Sequence, residues 1–239
     1  MAKLLASPAD GHSLAVYIAD SHALLAGTDA RWKLDDITAI GIMIKAPSFL
    51  FVAENSRFKT WADLEAEAKQ KSGTLKVGTL GFGSVDDFTL KSLEAKGVKV
   101  IQVPFARPAE RYASILGGHA DALYEQAGDV GQFLKSKQMR PLIVFGSERF
   151  KAFPDVPSSH ELGYKVALPQ FRSIVVRAGT APERVKVLSD ALTKAAQSAE
   201  YKAFIEAQFA DPASYVAADA ANAYLKSQLD EMKSLIGTK

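Results

Sequence analysis

Thr79-Leu-Gly-Phe-Gly-Ser84, followed at once by Val85-Asp-Asp87, is the stretch of this chain best equipped to do chemistry. Gly81 and Gly83 let the backbone come close to a ligand, and Ser84 opens the helix that Val85 begins. A helix N-terminus presents amide N–H groups without intrahelical partners and a partial positive charge, so it attracts a carboxylate or phosphate. The same residues read equally as a plain strand-to-helix turn in which Ser84 and Asp87 cap the helix. The stretch is not a dinucleotide fingerprint, because Asp86 stands where a third glycine is needed. Nor is it a P-loop, which requires Gly-Lys-Ser/Thr.

The other reactive residue types are scattered. Of His12, His22, His119 and His160, none stands at metal-ligand spacing, and no metal is expected. His22 draws notice because Ala19-Asp-Ser-His22 directly follows a strand, and open α/β sheets bind ligands at the carboxyl ends of their strands. A lone histidine beside apolar residues is also a common core residue. Cysteine is absent, which excludes a thiol nucleophile, a disulfide scaffold and a Cys-ligated zinc. There is no GxSxG elbow and no SxxK nucleophile motif. Asp86 and Asp87 are adjacent rather than facing each other across a cleft. Nothing here asks for an enzyme or a cofactor.

Short apolar runs alternate with amphipathic helices, the pattern of an α/β protein. Strands are predicted at 14–18, 40–44, 49–52, 75–78, 98–103, 122–125, 142–145 and 174–177. Helices are predicted at 61–71, 84–95, 109–117, 130–136, 182–196, 200–208 and 219–235. Thr60 with Asp63 reads as a capping box, Gly73 and Gly97 as helix stops, and Thr180 as a cap ahead of Pro182. Ala191, Leu192, Ala195 and Ala196 recur at helical spacing, as a core-facing stripe would. The middle of the chain has its own βαβ alternation while the C-terminal part is nearly all helix, which implies two lobes.

The 239 residues carry 29 Lys plus Arg against 27 Asp plus Glu, a net charge of +2 that leaves no basic face for nucleic acid. With 48% hydrophobic residues the chain has enough apolar surface to fold. No run approaches the ~20 apolar residues that span a bilayer. Asp10, His12 and Asp20 interrupt any signal-peptide core after Lys3, so the N-terminus as it stands is expected to carry no targeting signal.

A series of segments resembles the tripartite tricarboxylate transporter substrate-binding proteins, the TctC or Bug family. Lys59-Thr-Trp-Ala-Asp-Leu64 is similar to the family's KTLADL, and Gly78-Thr-Leu-Gly-Phe-Gly-Ser84 to its SSGxGS loop. Val103-Pro-Phe105 resembles VPY, Leu116-Gly-Gly-His-Ala-Asp-Ala122 resembles LLGGxVDA, and Leu142–Arg149 resembles LAVTSAER. Phe153-Pro-Asp-Val-Pro157 with Glu161-Leu-Gly163 resembles LPDVPTxxExG, and Ala178-Gly-Thr-Ala-Pro182 resembles PAGTP. Each motif is weak alone; their shared order and spacing cover nearly the whole chain.

The resemblance implies a two-lobed class II periplasmic binding-protein fold, with lobe 1 at 1–54 plus 175–239 and lobe 2 at 55–174. It implies a small organic acid as ligand, held between the lobes, and membrane transporter subunits as partners. A periplasmic location, a monomer and no cofactor complete the expectation. Carried onto this chain, the ligand residues would be Asp20, Ser21 and His22 in one loop, then Thr79, Gly81, Gly83, Ser84, Val85 and Asp86 in the glycine-rich turn. Phe105, Glu125, Gln126, Phe171 and Arg172 at strand ends would join them, Arg172 by a bidentate contact with a carboxylate.

The chain departs from the family in four ways. The Pro8-Ala-Asp-Gly11 segment lies at the very start, so the signal peptide and first strand-loop-helix unit that the family pattern places ahead of it are expected to be lacking. Lobe 1 is then expected to be incomplete, with an exposed apolar edge. Asp86 and Asp87 replace small hydroxyl residues and oppose a dianionic ligand by like charge. Arg107 stands in for the lysine usual after VPY, and Tyr124-Glu-Gln126 replaces FDN. Two other readings stay open. One is a two-lobed cleft enzyme acting on a small carboxylated or phosphorylated metabolite, with Asp86, Asp87 or Glu125 as acid or base and His22 as proton carrier. The other is a fragment that has lost binding.

Overall fold

The computed structural model describes residues 1–27 and 30–237. It divides into two compact units: Met1–Ala46 with Gln170–Lys239, and Pro47–Pro169.

The first unit is built on four antiparallel strands in the order β1-β8-β2-β9: β1 (Ala15–Ile18), β2 (Ile37–Ala46), β8 (Gln170–Arg177) and β9 (Val216–Ala217). Its helices are α1 (Ala2–Ala6), α2 (Ala19–Ala23), α7 (Pro182–Ala196), α8 (Ala199–Ala207) and α9 (Ala218–Gly237). Ile40, Ile42, Val175, Leu225 and Met232 are buried together with the rings of Tyr17 and Phe171. β1 lies at the sheet edge, where Val16 is 62% exposed, and Leu14 just ahead of it is 50% exposed.

The second unit carries five strands in the order β5-β4-β6-β3-β7. They are β3 (Ser48–Ala53), β4 (Lys76–Thr79), β5 (Ile101–Pro104), β6 (Ala122–Gln126) and β7 (Met139–Phe145). β4 runs parallel to β5 and β6, while β3 is antiparallel to both β6 and β7. Helices α3 (Trp61–Gln70), α4 (Val85–Glu94), α5 (Pro108–Leu116) and α6 (Gly131–Lys135) complete it. Ser-Phe-Leu-Phe-Val of β3 is buried on both faces, the near-continuous apolar run of a central strand. Tyr124 stacks on Phe145, and Trp61 meets Tyr164 edge to face.

Local signals account for the element ends. Thr60 and Asp63 form the reciprocal capping box at the start of α3. Gly73 and Gly97 adopt φ of 68° and 86°, the left-handed turn that glycine accepts without steric cost.

Several expectations need correction. The residues 48–53, placed in lobe 1, form β3 and pair with β6 and β7, so the crossings lie at 46/47 and 169/170. Residues 19–23 are a short helix, not a loop. Thr180 does not cap α7; its hydroxyl donates to the Arg177 carbonyl at 2.7 Å, and Ala181 takes the cap position. No residue of α7 is fully buried, so its alanine stripe is only half covered, although Leu192 reaches Gly41 of β2. The two-residue β9 is too short to leave a periodic signal.

Candidate functional site

In the second unit the parallel strands β4, β5 and β6 end at one edge of the sheet, and β3 begins there. Ser48 pairs in register with both Gln126 and Phe145. This edge gathers Thr79, the glycine-rich turn, Phe105, Glu125 and Gln126.

The turn itself is closed by the chain's own carboxylates. Leu80 N–H donates to Asp86 at 2.7 Å and Gly83 N–H donates to Asp87 at 2.9 Å. Ser84 is the N-cap: its oxygen accepts from Asp87 N–H at 3.3 Å, and its hydroxyl donates to the Gly81 carbonyl at 2.6 Å. Gly81 and Gly83 sit at φ of 128° and 77°, which is why the turn needs them. Asp86, Asp87 and Val85 are all buried. Burial alone would raise Asp87, but Lys91, the Gly83 amide and Gln102 hold it below the ordinary carboxylate range. The plain capped turn is therefore the arrangement found. The expected cradle for an external carboxylate has two of its amide donors, those of Leu80 and Gly83, committed to internal anions.

Next to the turn stands a buried ion pair that the motif reading missed. Arg111, from the first turns of α5, donates through Nη2 to Glu125 Oε2 at the end of β6. Only 8% and 5% of the two side chains are exposed. Tyr112 Oη donates to the same Glu125 oxygen at 3.2 Å, and Gln126 N–H donates to Oε1 at 3.1 Å. Gln126 Nε2 in turn donates to Ser48 Oγ at 3.1 Å. Burial raises the Glu125 pKa against the pull of Arg111. Burial also works against charge on Arg111, yet Glu125 more than offsets it and the guanidinium stays protonated.

The pair is not fully satisfied. Arg111 Nε and Nη1 are both buried with no hydrogen-bond partner. Each unpaired buried donor costs about 1–3 kcal/mol. Arg111 lies four residues before the buried Ile115, on the core-facing stripe of α5. A charged residue on an apolar stripe was the signal available in the sequence.

The other expected residues stand elsewhere. Thr79 is buried against Gln102, and Phe105 packs beside Gly78 next to Arg111. Arg107 pairs with Glu110 at the surface. In the first unit, His22 is wholly buried: Nε2 faces the Leu225 carbonyl at 2.8 Å, and Nδ1 lies 3.0 Å from Tyr17 Oη. A carbonyl only accepts, so Nε2 carries the proton and Nδ1 accepts from the tyrosine. Burial lowers the His22 pKa to about 4. With both nitrogens used inside the core, His22 is neither a ligand contact nor a proton carrier. Phe171 is a core ring packed edge-on against His22 and Tyr224. Asp20 accepts from Gln170 at 3.1 Å, Ser21 is half-buried, and Arg172 is exposed on β8.

A groove of about 180 Å³ runs beside α4, lined by Phe82, Leu90, Lys91 and Gln102, and does not include Arg111 or Glu125. Among the described residues there is no His/Cys/Asp/Glu group fit to hold a metal, and no helix long and apolar enough to cross a membrane.

Comparison with known proteins assigns this arrangement to a class. The fold is similar to a TctC solute-binding protein from Polaromonas, at 25% identity and a TM-score of 0.79, over all of this chain and 82% of that one. It is also similar to MatC from Rhodopseudomonas palustris with bound malate, at 19% identity and 0.83, covering 98% of this chain and 82% of the other. An R. palustris protein with adipate gives 18% and 0.86, over 98% and 79%. All three share the two-lobed α/β fold of this chain. The model of the tripartite tricarboxylate transporter family receptor matches residues 1–239, and the chain belongs to that family. Curated relatives include a UPF0065 protein of Cupriavidus necator, 27% identical over 81% of this chain and 59% of that protein. BugT of Bordetella pertussis is 27% identical over 77% and 56%. The chain thus spans little more than half the length of the curated relatives it matches.

Proposed function

We propose that this chain is a periplasmic receptor that captures a small organic acid and presents it to the membrane subunits of a tripartite transporter. The observation that carries the reading is Arg111, a buried cation at the carboxyl ends of parallel strands with two nitrogens, Nε and Nη1, still lacking an acceptor. An arginine so placed is suited to hold a carboxylate. Membership of a receptor family supports capture rather than turnover, and relatives of the same fold hold malate and adipate. The turn Gly81–Asp87 then shapes the wall of the site instead of holding the anion.

The test is a calorimetric and thermal-shift panel of malate, adipate, citrate, benzoate and glutamate against the purified chain. One-to-one binding with a raised melting temperature is expected for at least one acid. A cooperatively melting chain that none of them stabilises would falsify the reading.

A further inference from the structure

We infer that Glu125 and Asp86 make Arg111 a charge-selective anchor, which grips the carboxylate of a singly charged or zwitterionic acid and disfavours a dianion. The inference rests on the proposed receptor function and narrows the class of acid that it takes.

Glu125 and a ligand can share one guanidinium. Nη2 carries two N–H groups, and Glu125 takes one of them through Oε2. Nε and Nη1 have no partner. Whichever Nη2 hydrogen Glu125 uses, the edge built on the other one, with Nε or with Nη1, is open to a carboxylate at two points. Glu125 therefore stays in place when the anion arrives. It is also held without the arginine, because Tyr112 Oη donates to Oε2 and Gln126 N–H donates to Oε1. Three donors converging on one carboxyl group suit its ionised form.

This sharing sets the charge selectivity. The positive charge of Arg111 is already met by Glu125, in a place too buried for solvent to screen what is added. Asp86, at the start of α4, also bears on Arg111, and Asp129, just beyond β6, bears on Glu125. The cations of the adjoining helices are occupied, Lys91 with Asp87 and Arg107 with Glu110. One ligand carboxylate is stabilised by bonds to donors that otherwise stay empty. A second carboxylate on the same small molecule meets the repulsion of Glu125 and Asp86, whereas a hydroxyl, amide or ammonium in its place does not. Asp86 thus has a use beyond holding the Leu80 amide.

The probes are malate and adipate, each beside its monoamide, which keeps length and shape and loses one charge. In titration calorimetry at neutral pH the native chain should bind each monoamide about tenfold more tightly than its parent dianion. Glu125→Gln still offers Arg111 an acceptor and should tighten the dianions until the gap is within about threefold. Asp86→Asn keeps an acceptor for the Leu80 N–H and should narrow the gap by about threefold. Arg111→Gln should weaken all the probes by about tenfold or more. Removing the anion of a buried pair threatens folding, so if Glu125→Gln does not melt cooperatively, Asp86→Asn decides. Dianions bound by the native chain as tightly as their monoamides overturn the charge selectivity and leave the receptor function standing. A gap unchanged in Asp86→Asn and in any folded Glu125→Gln overturns the roles given to these two residues. Unchanged affinity in Arg111→Gln overturns the anchor. If none of these probes binds the native chain, the inference is overturned; if no acid of the wider panel binds either, the receptor function falls with it.

Discussion

His22 in the first unit and Arg111 in the second are both polar, both buried, and both close to the end of a strand or the helix beside it. They differ in what is left over. His22 spends both nitrogens on Tyr17 and Leu225, so its hydrogen-bonding capacity is exhausted within the core. Arg111 spends one nitrogen on Glu125 and keeps two unpaired. The glycine-rich turn belongs with His22, since Asp86 and Asp87 take up the amides of Leu80 and Gly83. Polar residue type at a strand end does not by itself define a site. Nor does unspent capacity alone, since Tyr224 Oη and Gln228 Oε1 are also buried without partners; what sets Arg111 apart is a full charge at the carboxyl ends of parallel strands.

The largest test of this contrast is His22→Leu. It strands the Tyr17 hydroxyl and the Leu225 carbonyl, and should destabilise the chain by about 2–4 kcal/mol in urea unfolding. Affinity for malate or adipate should not move; a large loss of affinity in a folded variant would return His22 to the ligand site.

Acid provides the next test. The His22 pKa is lowered from 6.5 to about 4 in the folded chain, so folding favours the neutral ring. Its contribution is complete above about pH 6.5 and is lost as pH falls toward 4, up to roughly 3 kcal/mol. His22→Gln should reduce that part of the decline in melting temperature between these pH values. An unaltered pH profile would show that the titrating group lies elsewhere.

Asp87→Ala removes the acceptor for Gly83 N–H, Lys91 and Gln102, and should cost about 1–2 kcal/mol while leaving acid binding intact. A ligand that lost affinity in step would place the turn back in the binding machinery. The smallest effect belongs to Phe82→Ser at the tip of the turn, where the ring is 75% exposed. Its stability should stay within about 0.5 kcal/mol of the native chain.

Most elements were legible because periodicity and caps are local. The alternation of β3 with α3, the Thr60 capping box and the Gly97 stop each depend on residues a few positions apart. What escaped was set by distance. α2 looked like a loop because its five residues are held by packing on β1, β8 and α9. The crossing at 46/47 was displaced because only pairing with β6 and β7 assigns residues 48–53 to the second unit. For the site, the turn was visible as a glycine motif, but its closure by Asp86 and Asp87 was legible only as the capping alternative. Arg111 was passed over because it sits in no motif, although its place on the Ile115 stripe of α5 marked it.

The pairing of β2 with β8 also governs the order in which this protein is made. Ala46 finds its partner only at Gln170, and Gly41 finds another only at Ala217. Residues 47–169 emerge from the ribosome as a complete unit with all five of their strands present. The first unit, though its opening strands are translated first, must wait with β1 and β2 unpaired until β8 appears at residues 170–177. During synthesis, that waiting apolar segment is the part of the molecule most in need of a chaperone.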